Sequence, residues 1–431
     1  MFYVLPNQLF GKDVSPIWKG RYKEIVVWEH PMFFTKYEFN KKKLVLHRAS
    51  MRLYAKDLKA RIDSTVTYVE FHRKHTPPSE CVLYDPVNDV DGFEHATFLE
   101  SPNFLVTKED MRKIWSEKKS KDSMRFTSYF YPRIKEIVGF LKGVPSKDKE
   151  NRERYDGSVA IPPLPKQSAG VSTELQEAES YVEKHFSRNP GTLSDDFVYP
   201  VTTKQARAWL RDFVKRRLSS FGAFQDAVVE RESWMFHSVL SSSINIGLLN
   251  PSEILEALKD VRDVPMNSLE GYVRQLIWRE YQRYCYIYLR DTLVERNRFD
   301  TRKKLTEAWY TGSTGVYPVD ASIKKAFRTG YLHHIERLMI VGNFMLLSEI
   351  RREDGFRWFM EFAIDSYEWV MYQNVYDMVF FSSGGRTTHK AYISGSPYVL
   401  RMTDYQTGEW TKTWDDKYRA FKSKFIKSKT L

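Results

Sequence analysis

Two adjacent histidines, His333 and His334, are the residues of this chain whose chemistry is most suggestive. In the stretch YLHHIERLM (331–339), apolar and polar residues recur with a helical period, which predicts an amphipathic helix carrying both imidazoles at the edge of its apolar face. Imidazole changes its charge near neutral pH and can give a proton to a substrate. A buried, hydrogen-bonded pair without a catalytic part is the alternative that this stretch alone leaves open.

A run of small polar residues lies in FHSVLSSSINIGLLNP (236–251). Ser241, Ser242 and Asn245 come just before Gly247, and hydroxyls together with backbone N–H groups near a glycine can bind a phosphate. A serine run is equally typical of a turn or a helix cap, so this stretch does not decide between the two interpretations.

Three polar residues in GYVRQLIWREYQRYCYIYL (271–289) are spaced four apart, namely Gln275, Arg279 and Arg283. On a helix this spacing places them along one face, with tryptophan and tyrosine side chains nearby. Such a face suits a flat heterocycle that carries phosphate. A solvated basic face in front of an aromatic core is the alternative.

The stretch 356–402 combines tryptophans and tyrosines with a glycine-rich, basic loop. Arg386, His389 and Lys390 in that loop can contact the phosphates of a DNA backbone. A mobile surface loop is the alternative interpretation.

The first 130 or so residues alternate apolar runs with a helical pattern. We predict strands at 2–6, 24–29, 43–47 and 65–71, and an amphipathic helix at 48–62. Alternation of strand, helix and strand predicts a parallel, Rossmann-like α/β sheet.

Composition changes after this region. We predict an α/β domain at 1–135, a Pro-, Gly- and charge-rich interdomain linker at 136–202 with one helix at 172–186, and a large all-α domain at 203–431.

Composition limits the functional classes. The net charge of +12 suggests a polyanionic partner. The sequence contains no uninterrupted run of about 18 apolar residues, so no transmembrane helix is predicted. The N-terminus lacks the pattern of a signal peptide. The two cysteines argue against a disulfide framework and fit a reducing compartment such as the cytoplasm.

Several motifs occur together in a fixed order: RLSSFGAFQDAV (217–228), the serine run, LIWREYQRY (276–284), WYTGSTGVYPVD (309–320), the histidine pair, YEWV with NVYDM, and GGRTTHKAYISGSPYVLRMTDY (384–405). In this order they resemble the cryptochrome/photolyase superfamily, and within it the bacterial (6-4) photolyase branch, whose members hold an iron–sulfur cluster. The resemblance spans most of 217–405 and is weaker in the N-terminal region.

The resemblance implies an antenna-type N-terminal domain and a helical domain that holds FAD. It implies light-driven repair of (6-4) pyrimidine–pyrimidone photoproducts, in which an electron passes from reduced flavin to a lesion flipped out of UV-damaged DNA and then returns. A monomer that associates with DNA is expected. A cryptochrome-like FAD photoreceptor without repair activity is the alternative.

The resemblance also assigns residues. His334 is the expected proton donor, with His333 beside it, and Tyr392 and Met378 are expected in the lesion pocket. The residues expected around FAD are Ser241, Ser242, Asn245, Gln275, Arg279, Arg283, Asn343, Asp365, Trp369 and Asn374. Trp358, Tyr310 and Trp309 are expected to transfer electrons, and Arg386 and Lys390 to bind DNA.

This chain departs from the branch at several positions. Pro318, Gln406 and Glu409 stand where the branch has cysteines that bind the cluster, so no iron–sulfur cluster and no other metal are expected. Phe359 and Tyr310 replace a tyrosine and a tryptophan of the usual electron route. The branch often carries 6,7-dimethyl-8-ribityllumazine as antenna, which is therefore a possible second chromophore here.

Overall fold

The computed structural model describes residues 1–121, 123–167, 169–194 and 197–426. Contacts divide the chain into two compact units, each assembled from several stretches. Unit 1 comprises Met1–Glu109, Leu164–Lys215 and Ser238–Val261, and unit 2 comprises Asp110–Pro163, Arg216–His237 and Arg262–Leu431. The units therefore interleave along the chain, whereas the domains predicted from the sequence follow one another, and the boundaries at 135 and 203 stay a prediction.

Unit 1 contains a parallel sheet with the strand order β3-β2-β1-β4-β5. The strands are β1 (Phe2–Val4), β2 (Glu24–Trp28), β3 (Thr65–Val69), β4 (Val82–Tyr84) and β5 (Thr97–Leu99). In the register, Phe2 lies opposite Ile25 of β2 and opposite Val82 of β4. This order, in which the chain turns from one side of β1 to the other, is typical of doubly wound α/β folds and confirms the predicted fold class of this part.

Helices make up most of the remaining structure. They are α1 (Lys41–Arg61), α2 (Lys108–Ser116), α3 (Tyr131–Val138), α4 (Ser172–His185), α5 (Thr203–Arg216), α6 (Leu218–Phe224), α7 (Ser241–Asn245), α8 (Pro251–Lys259), α9 (Met266–Glu295), α10 (Ala308–Thr311), α11 (Tyr317–Thr329), α12 (Asn343–Leu347), α13 (Arg352–Phe362), α14 (Glu368–Met371), α15 (Ser396–Met402) and α16 (Glu409–Phe425). The helix predicted at 172–186 is confirmed as α4. Among the described residues, no helix has the length and apolar character needed to cross a bilayer.

The prediction of a strand at 43–47 is wrong, because these residues belong to α1. The helix begins at Lys41, where Oδ1 of Asn40 accepts a hydrogen bond from the backbone N–H of Lys42 at 2.9 Å, as an N-cap residue does. Its first turns are buried. A short apolar run looks the same in a buried strand and in a buried helix, and here the cap decides.

A buried ionic cluster joins α1 to its neighbours in unit 1. Arg48 of α1 is 4% exposed and its Nη1 lies 2.9 Å from a carboxylate oxygen of Glu29 and 2.9 Å from one of Glu70. Its Nη2 lies 2.5 Å from Glu177 of α4, and the guanidinium stacks over the Tyr181 ring. One cation thus neutralises carboxylates that directly follow β2 and β3 and one from α4.

Three segments of unit 2 are π-helical: Phe126–Phe130, Glu336–Gly342 and Tyr372–Val379. The last two lie against each other at Gly342, where a Cβ would stand 2.9 Å from the Val379 side chain and 2.7 Å from the Arg337 carbonyl oxygen. A glycine is required there by this close approach. π-Helical turns shift the direction of side chains and are frequent at functional sites, and these two segments contain or flank most residues predicted to act in catalysis.

The Arg48 cluster leads to a stability prediction. Replacing Arg48 by Met leaves the fully buried carboxylate of Glu29 without its cation, and we expect the free energy of unfolding to fall by about 3–5 kcal/mol. The control is Lys56→Met, because Lys56 and Glu174 form an exposed pair between the same two helices and its loss should cost about 0–1 kcal/mol. Urea denaturation measures both values, and equal losses in the two variants would contradict the assignment.

Candidate functional site

The histidine pair lies at the start of a helix and not inside one, so the prediction of a helix over 331–339 is wrong for its first residues. Residues 331–333 are not helical, the helix begins at His334, and it becomes π-helical from Glu336 onward. The two imidazoles have opposite environments: His333 is 3% exposed, whereas the His334 side chain is 44% exposed.

A buried ion pair holds this helix start. Glu336, which the predicted helical pattern placed on a polar face, is fully buried and its Oε1 lies 2.7 Å from Nζ of Lys325. Its Oε2 accepts a hydrogen bond from the backbone N–H of His333 at 3.3 Å. Glu336 can be buried because its carboxylate has a cation and a backbone N–H group as partners.

The exposed histidine has a carboxylate partner that the sequence analysis did not identify. Nε2 of His334 lies 2.8 Å from Oδ1 of Asp226, which precedes α7 in the chain and belongs to the same unit as the pair. A carboxylate only accepts hydrogen bonds, so Nε2 of His334 carries the hydrogen of this contact. The remaining ring nitrogen, Nδ1, is the atom from which His334 can give a proton.

The buried histidine is stacked on a third one. The rings of His333 and His237 lie 4.7 Å apart at 17°. Burial lowers the pKa of His333 well below its ordinary value, and the charges of its neighbours, beginning with His237, lower it further. Burial lowers the pKa of His237 to about 3. Both rings are therefore neutral at physiological pH.

Arg152 connects this group electrostatically to Tyr392. Burial opposes the charged form of Arg152, while Asp148 and then Asp226 raise the pKa of its guanidinium. Burial raises the pKa of Tyr392, and the charge of Arg152 acts in the opposite direction. Met378, the other residue expected in the lesion pocket, is partly buried at the end of the π-helical segment Tyr372–Val379.

The carboxylate of Asp377 fixes the basic loop that contains Arg386 and Lys390 by several hydrogen bonds, which argues against a mobile surface loop. Asp377 is fully buried, and its Oδ1 accepts hydrogen bonds from the backbone N–H and the hydroxyl of Ser383 at 2.9 and 2.6 Å. Its Oδ2 accepts from the backbone N–H of Thr387 at 3.1 Å and from the Thr387 hydroxyl. The loop above it presents Lys390 at the surface and Arg386 half-buried.

Several residues expected around FAD lie together in unit 2. The guanidinium of Arg279 in α9 stacks over the Trp369 ring of α14 at 4.8 Å. Nε1 of Trp278 donates to Oδ1 of Asn374 at 3.5 Å, and Nδ2 of Asn374 donates to the Val370 carbonyl at 2.9 Å. Helix α9 thus carries the cation and α14 the flat ring, as a phosphate-bearing heterocycle would need.

The other expected residues on or near α9 differ in their environment. Arg283 is fully buried and Arg279 is 8% exposed, so the alternative of a solvated basic face is wrong, while Gln275 is half-buried. Nδ2 of Asn343 donates to the carbonyl and hydroxyl oxygens of Ser394, at 3.2 and 2.9 Å. Asn343 therefore connects α12 to the loop before α15.

Asp365 is occupied by a bidentate ion pair with Arg337. The two guanidinium nitrogens lie 3.0 and 3.2 Å from the two carboxylate oxygens. Nε of Arg337 donates to the carbonyl of Leu332 at 2.6 Å. Asp365 thus positions the residue next to the histidine pair.

The serine run belongs to unit 1 and forms α7, a single helical turn. Ser241 is half-buried, Asn245 is 5% exposed, and Ser242 is 1% exposed. The hydroxyls of Ser242 and Ser243 are buried and make no hydrogen bond to any part of the chain that the structure describes. Buried hydroxyls of this kind are donors for a ligand such as a phosphate.

The donor sets fit FAD in each unit taken by itself. FAD consists of a flat ring system, an adenosine and two phosphates, and it therefore needs aromatic surface, cations and hydroxyl donors. Unit 2 offers Arg279 stacked on Trp369 together with the Asn374 amide, and unit 1 offers the unused hydroxyls of Ser242 and Ser243. Burial lowers the pKa of Arg279 to about 10, which still leaves a buried cation that an anionic ligand would stabilise.

The three residues expected to transfer electrons lie together in unit 2. Trp358 of α13 is fully buried and its Nε1 donates to the backbone carbonyl of Trp309 at 2.7 Å. Tyr310 follows Trp309 in α10, and its hydroxyl donates to Oε2 of Glu361 at 2.6 Å. Phe359, which stands where the family has a tyrosine, lies against Trp358 with 5.2 Å between ring centroids.

Five residues of this site were not predicted from the sequence: Asp226, His237, Glu336, Glu361 and Asp377. Only Glu336 has a spacing that marks its partner, because a glutamate three residues after His333 is placed to return to the backbone of a helix start. The other four lie within quoted stretches, but their spacing does not indicate their partners.

Comparison with known proteins agrees with this architecture. Residues 272–430 match the family model of the FAD binding domain of DNA photolyase, and residues 2–198 match that of deoxyribodipyrimidine photo-lyase-related protein. The first range includes the residues expected around FAD in unit 2, whereas Ser241, Ser242 and Asn245 lie in neither range.

A (6-4) photolyase of Agrobacterium fabrum (strain C58 / ATCC 33970) is 30% identical over 401 residues, which are 85% of this chain and 78% of that protein. The crystal structure of a bacterial class III photolyase from Agrobacterium tumefaciens superposes with a TM-score of 0.60 at 16% identity, over 97% of this chain and 85% of that one. A cryptochrome structure from Synechocystis sp. PCC6803 gives 0.61 at 14% identity, over 98% and 88%. These structures share the fold, and the matches together show that the chain belongs to the photolyase/cryptochrome superfamily, with the FAD-binding domain of DNA photolyases.

Proposed function

We propose that this protein is a light-dependent (6-4) photolyase that acts on UV-damaged DNA. The observation that carries the proposal is the exposed His334, hydrogen-bonded to Asp226 and next to a buried, neutral His333. An exposed proton donor is the group that this repair reaction needs and that a photoreceptor does not. The relative that is 30% identical is a (6-4) photolyase, which supports the same choice.

FAD, when bound, supplies a light-driven electron to the lesion and takes it back after repair. On the protein side, Arg279 would neutralise phosphate charge, Trp369 would offer a flat face, and Asn374 would offer an amide to the ring system.

The protein's own contribution to the chemistry is a proton at a defined atom. Asp226 orients the His334 ring by accepting the hydrogen bond from Nε2, so Nδ1 is the atom that donates the proton to the lesion. His333 cannot do this, because its Nδ1 accepts a hydrogen bond from the backbone N–H of Ile335 and its burial keeps it neutral. The role of His333 is to support its neighbour.

The basic loop would bind DNA. Arg386 and Lys390 stand on a loop that the buried Asp377 fixes, and fixed cations can meet phosphates without first becoming ordered. The net charge of +12 favours the same partner.

Other parts of the function are proposed on the sequence. Two buried thiols, Cys81 and Cys285, cannot supply the four thiolates of an iron–sulfur cluster, so we propose that the enzyme works without one. A lumazine-type antenna, a monomeric state and a DNA-containing, reducing compartment such as the cytoplasm complete the proposal.

The repair proposal predicts the effect of removing the proton donor. His334→Ala should lower the rate of (6-4) repair about 100-fold or more while flavin stays bound, because general acid catalysis typically contributes that much. Chromatography of an oligonucleotide with a (6-4) lesion, illuminated with chemically reduced protein, measures the rate. His95→Ala, at an exposed histidine of unit 1, is the matched control and should repair normally.

Wild-type protein that binds flavin and converts no lesion under these conditions is a photoreceptor and not a repair enzyme. A His334→Ala variant that repairs at the wild-type rate would instead refute the proton-donor role alone.

Asp226 should act by orienting the ring of His334. Asp226→Ala removes the acceptor that holds Nε2 of His334, so the rate of (6-4) repair should fall about tenfold or more while flavin stays bound. Chromatography of the same oligonucleotide measures the rate, with Glu232→Ala, at an exposed carboxylate of the same unit, as control for loss of a negative charge. Repair at the wild-type rate in Asp226→Ala would show that this contact does not position His334.

The buried histidines predict acid sensitivity. Their pKa values are lower in the folded protein than in the unfolded chain, which takes up a proton near pH 6.5, so the stability they give is complete above about pH 6.5 and is lost as pH falls, for His237 down to about 3. His237→Gln should flatten the fall of the unfolding free energy by up to about 1.4 kcal/mol per pH unit. Urea denaturation at several pH values measures this slope, and His95→Gln should leave it unchanged.

A further inference from the structure

The hydroxyl of Tyr310 is hydrogen-bonded to a carboxylate that can act as a base. Tyr310 is half-buried, its hydroxyl donates to Oε2 of Glu361 at 2.6 Å, and Glu361 is 4% exposed. A carboxylate is a far stronger base than water and a far weaker one than a phenolate, so in the resting protein the proton stays on the phenol.

Tyr310 is also connected to the buried Trp358 in two ways. Nε1–H of Trp358 donates to the carbonyl of Trp309 at 2.7 Å, and that carbonyl belongs to the peptide bond whose nitrogen is that of Tyr310. The Phe327 ring lies between the two side chains, 5.7 Å from Tyr310 and 5.7 Å from Trp358 by ring centroids. A hydrogen bond and a pair of ring contacts thus connect the fully buried Trp358 ring to the half-buried Tyr310 ring.

We propose that Tyr310 and Glu361 form the proton-coupled end of the electron route that begins at Trp358. A bound flavin, when excited by light, would take one electron from Trp358, which would become a radical cation. Tyr310 then gives one electron to Trp358 and, in the same step, its hydroxyl proton to Oε2 of Glu361. The products are neutral Trp358, a neutral tyrosyl radical and a protonated Glu361. An added thiol reductant then gives one electron to the radical, and the proton returns from Glu361 to the Tyr310 oxygen, which restores the resting state.

The partners of the two rings explain why the oxidised site stops at Tyr310. The N–H of Trp358 faces an amide carbonyl, which is a poor base, so the oxidised indole keeps its proton and remains a strong oxidant. The hydroxyl of Tyr310 faces a carboxylate, which can hold the proton that an oxidised phenol releases. Burial and then the hydrogen bond to Glu361 raise the pKa of Tyr310, while the charge of Arg357 acts in the opposite direction, so the phenol keeps its proton in the resting protein.

The position after Trp358 supports this direction. Phe359 packs on Trp358 but has no hydroxyl to deprotonate, and phenylalanine is much harder to oxidise than tyrosine. The inference deepens the proposed function and rests on it for the flavin. It assigns Glu361 as a positioning and proton-accepting residue that touches Tyr310 and not the lesion.

The test is to identify the radical that light produces in flavin-loaded protein. We expect electron paramagnetic resonance to show a neutral tyrosyl radical in the wild type, formed more slowly in D2O. Tyr310→Phe should remove the radical, and Glu361→Gln, which keeps an acceptor oxygen but not the base, should lower its yield about tenfold or more. Glu230→Gln is the matched control, because Glu230 accepts a hydrogen bond from Tyr317 at 2.5 Å in the same unit.

An unchanged tyrosyl radical in Glu361→Gln, or the same radical in Tyr310→Phe, would overturn the inference, as would its absence from the wild type. Repair by chemically reduced protein does not use this route and should be normal in both variants. Protein that forms the tyrosyl radical but converts no (6-4) lesion would therefore refute the proposed function and leave the role of Glu361 standing.

Discussion

The buried pair of Lys325 and Glu336 is the interaction on which the arrangement of the site depends. The two side chains are 5% and 0% exposed and 2.7 Å apart, so removing either would leave a buried charge unpaired, which is far more costly than losing a surface pair. The second oxygen of Glu336 holds the backbone of His333. The pair therefore fixes the point at which the helix starts, and with it the exposure of His334.

Adjacent residues of the same type acquire different chemistry from this position. Burial and the stacked His237 make the proton on His333 unfavourable, whereas His334 reaches solvent and has the Asp226 carboxylate beside it. The backbone produces this difference, because one residue precedes the helix and the next begins it. Two histidines within a regular amphipathic helix would have shared more of their environment.

The sequence was sufficient for the parallel α/β class with β1, β2 and β3, for α4 and for the superfamily, because these depend on local periodicity and on motifs in fixed order. It missed β4 and β5, which are three residues long each. It failed at 43–47, where the Asn40 cap turned an apolar run into a helix. It failed again at Glu336, because a polar residue in a helical pattern is expected outside and a π-helical turn together with Lys325 placed it inside. The partnerships of Asp226 and Glu361 join residues far apart in the chain, which no spacing reveals.

The proposed proton donor and the proposed electron route share a framework through Arg337. Its guanidinium binds Asp365, three residues after α13, the helix that carries Trp358 and Glu361, and its Nε donates to the carbonyl of Leu332 before the histidine pair. Displacement of α13 would therefore be transmitted to the start of the helix that carries His334. Large substitutions on either side would disturb both functions at once, so the functions can be separated only by isosteric changes that remove a charge or a hydroxyl and leave the packing intact.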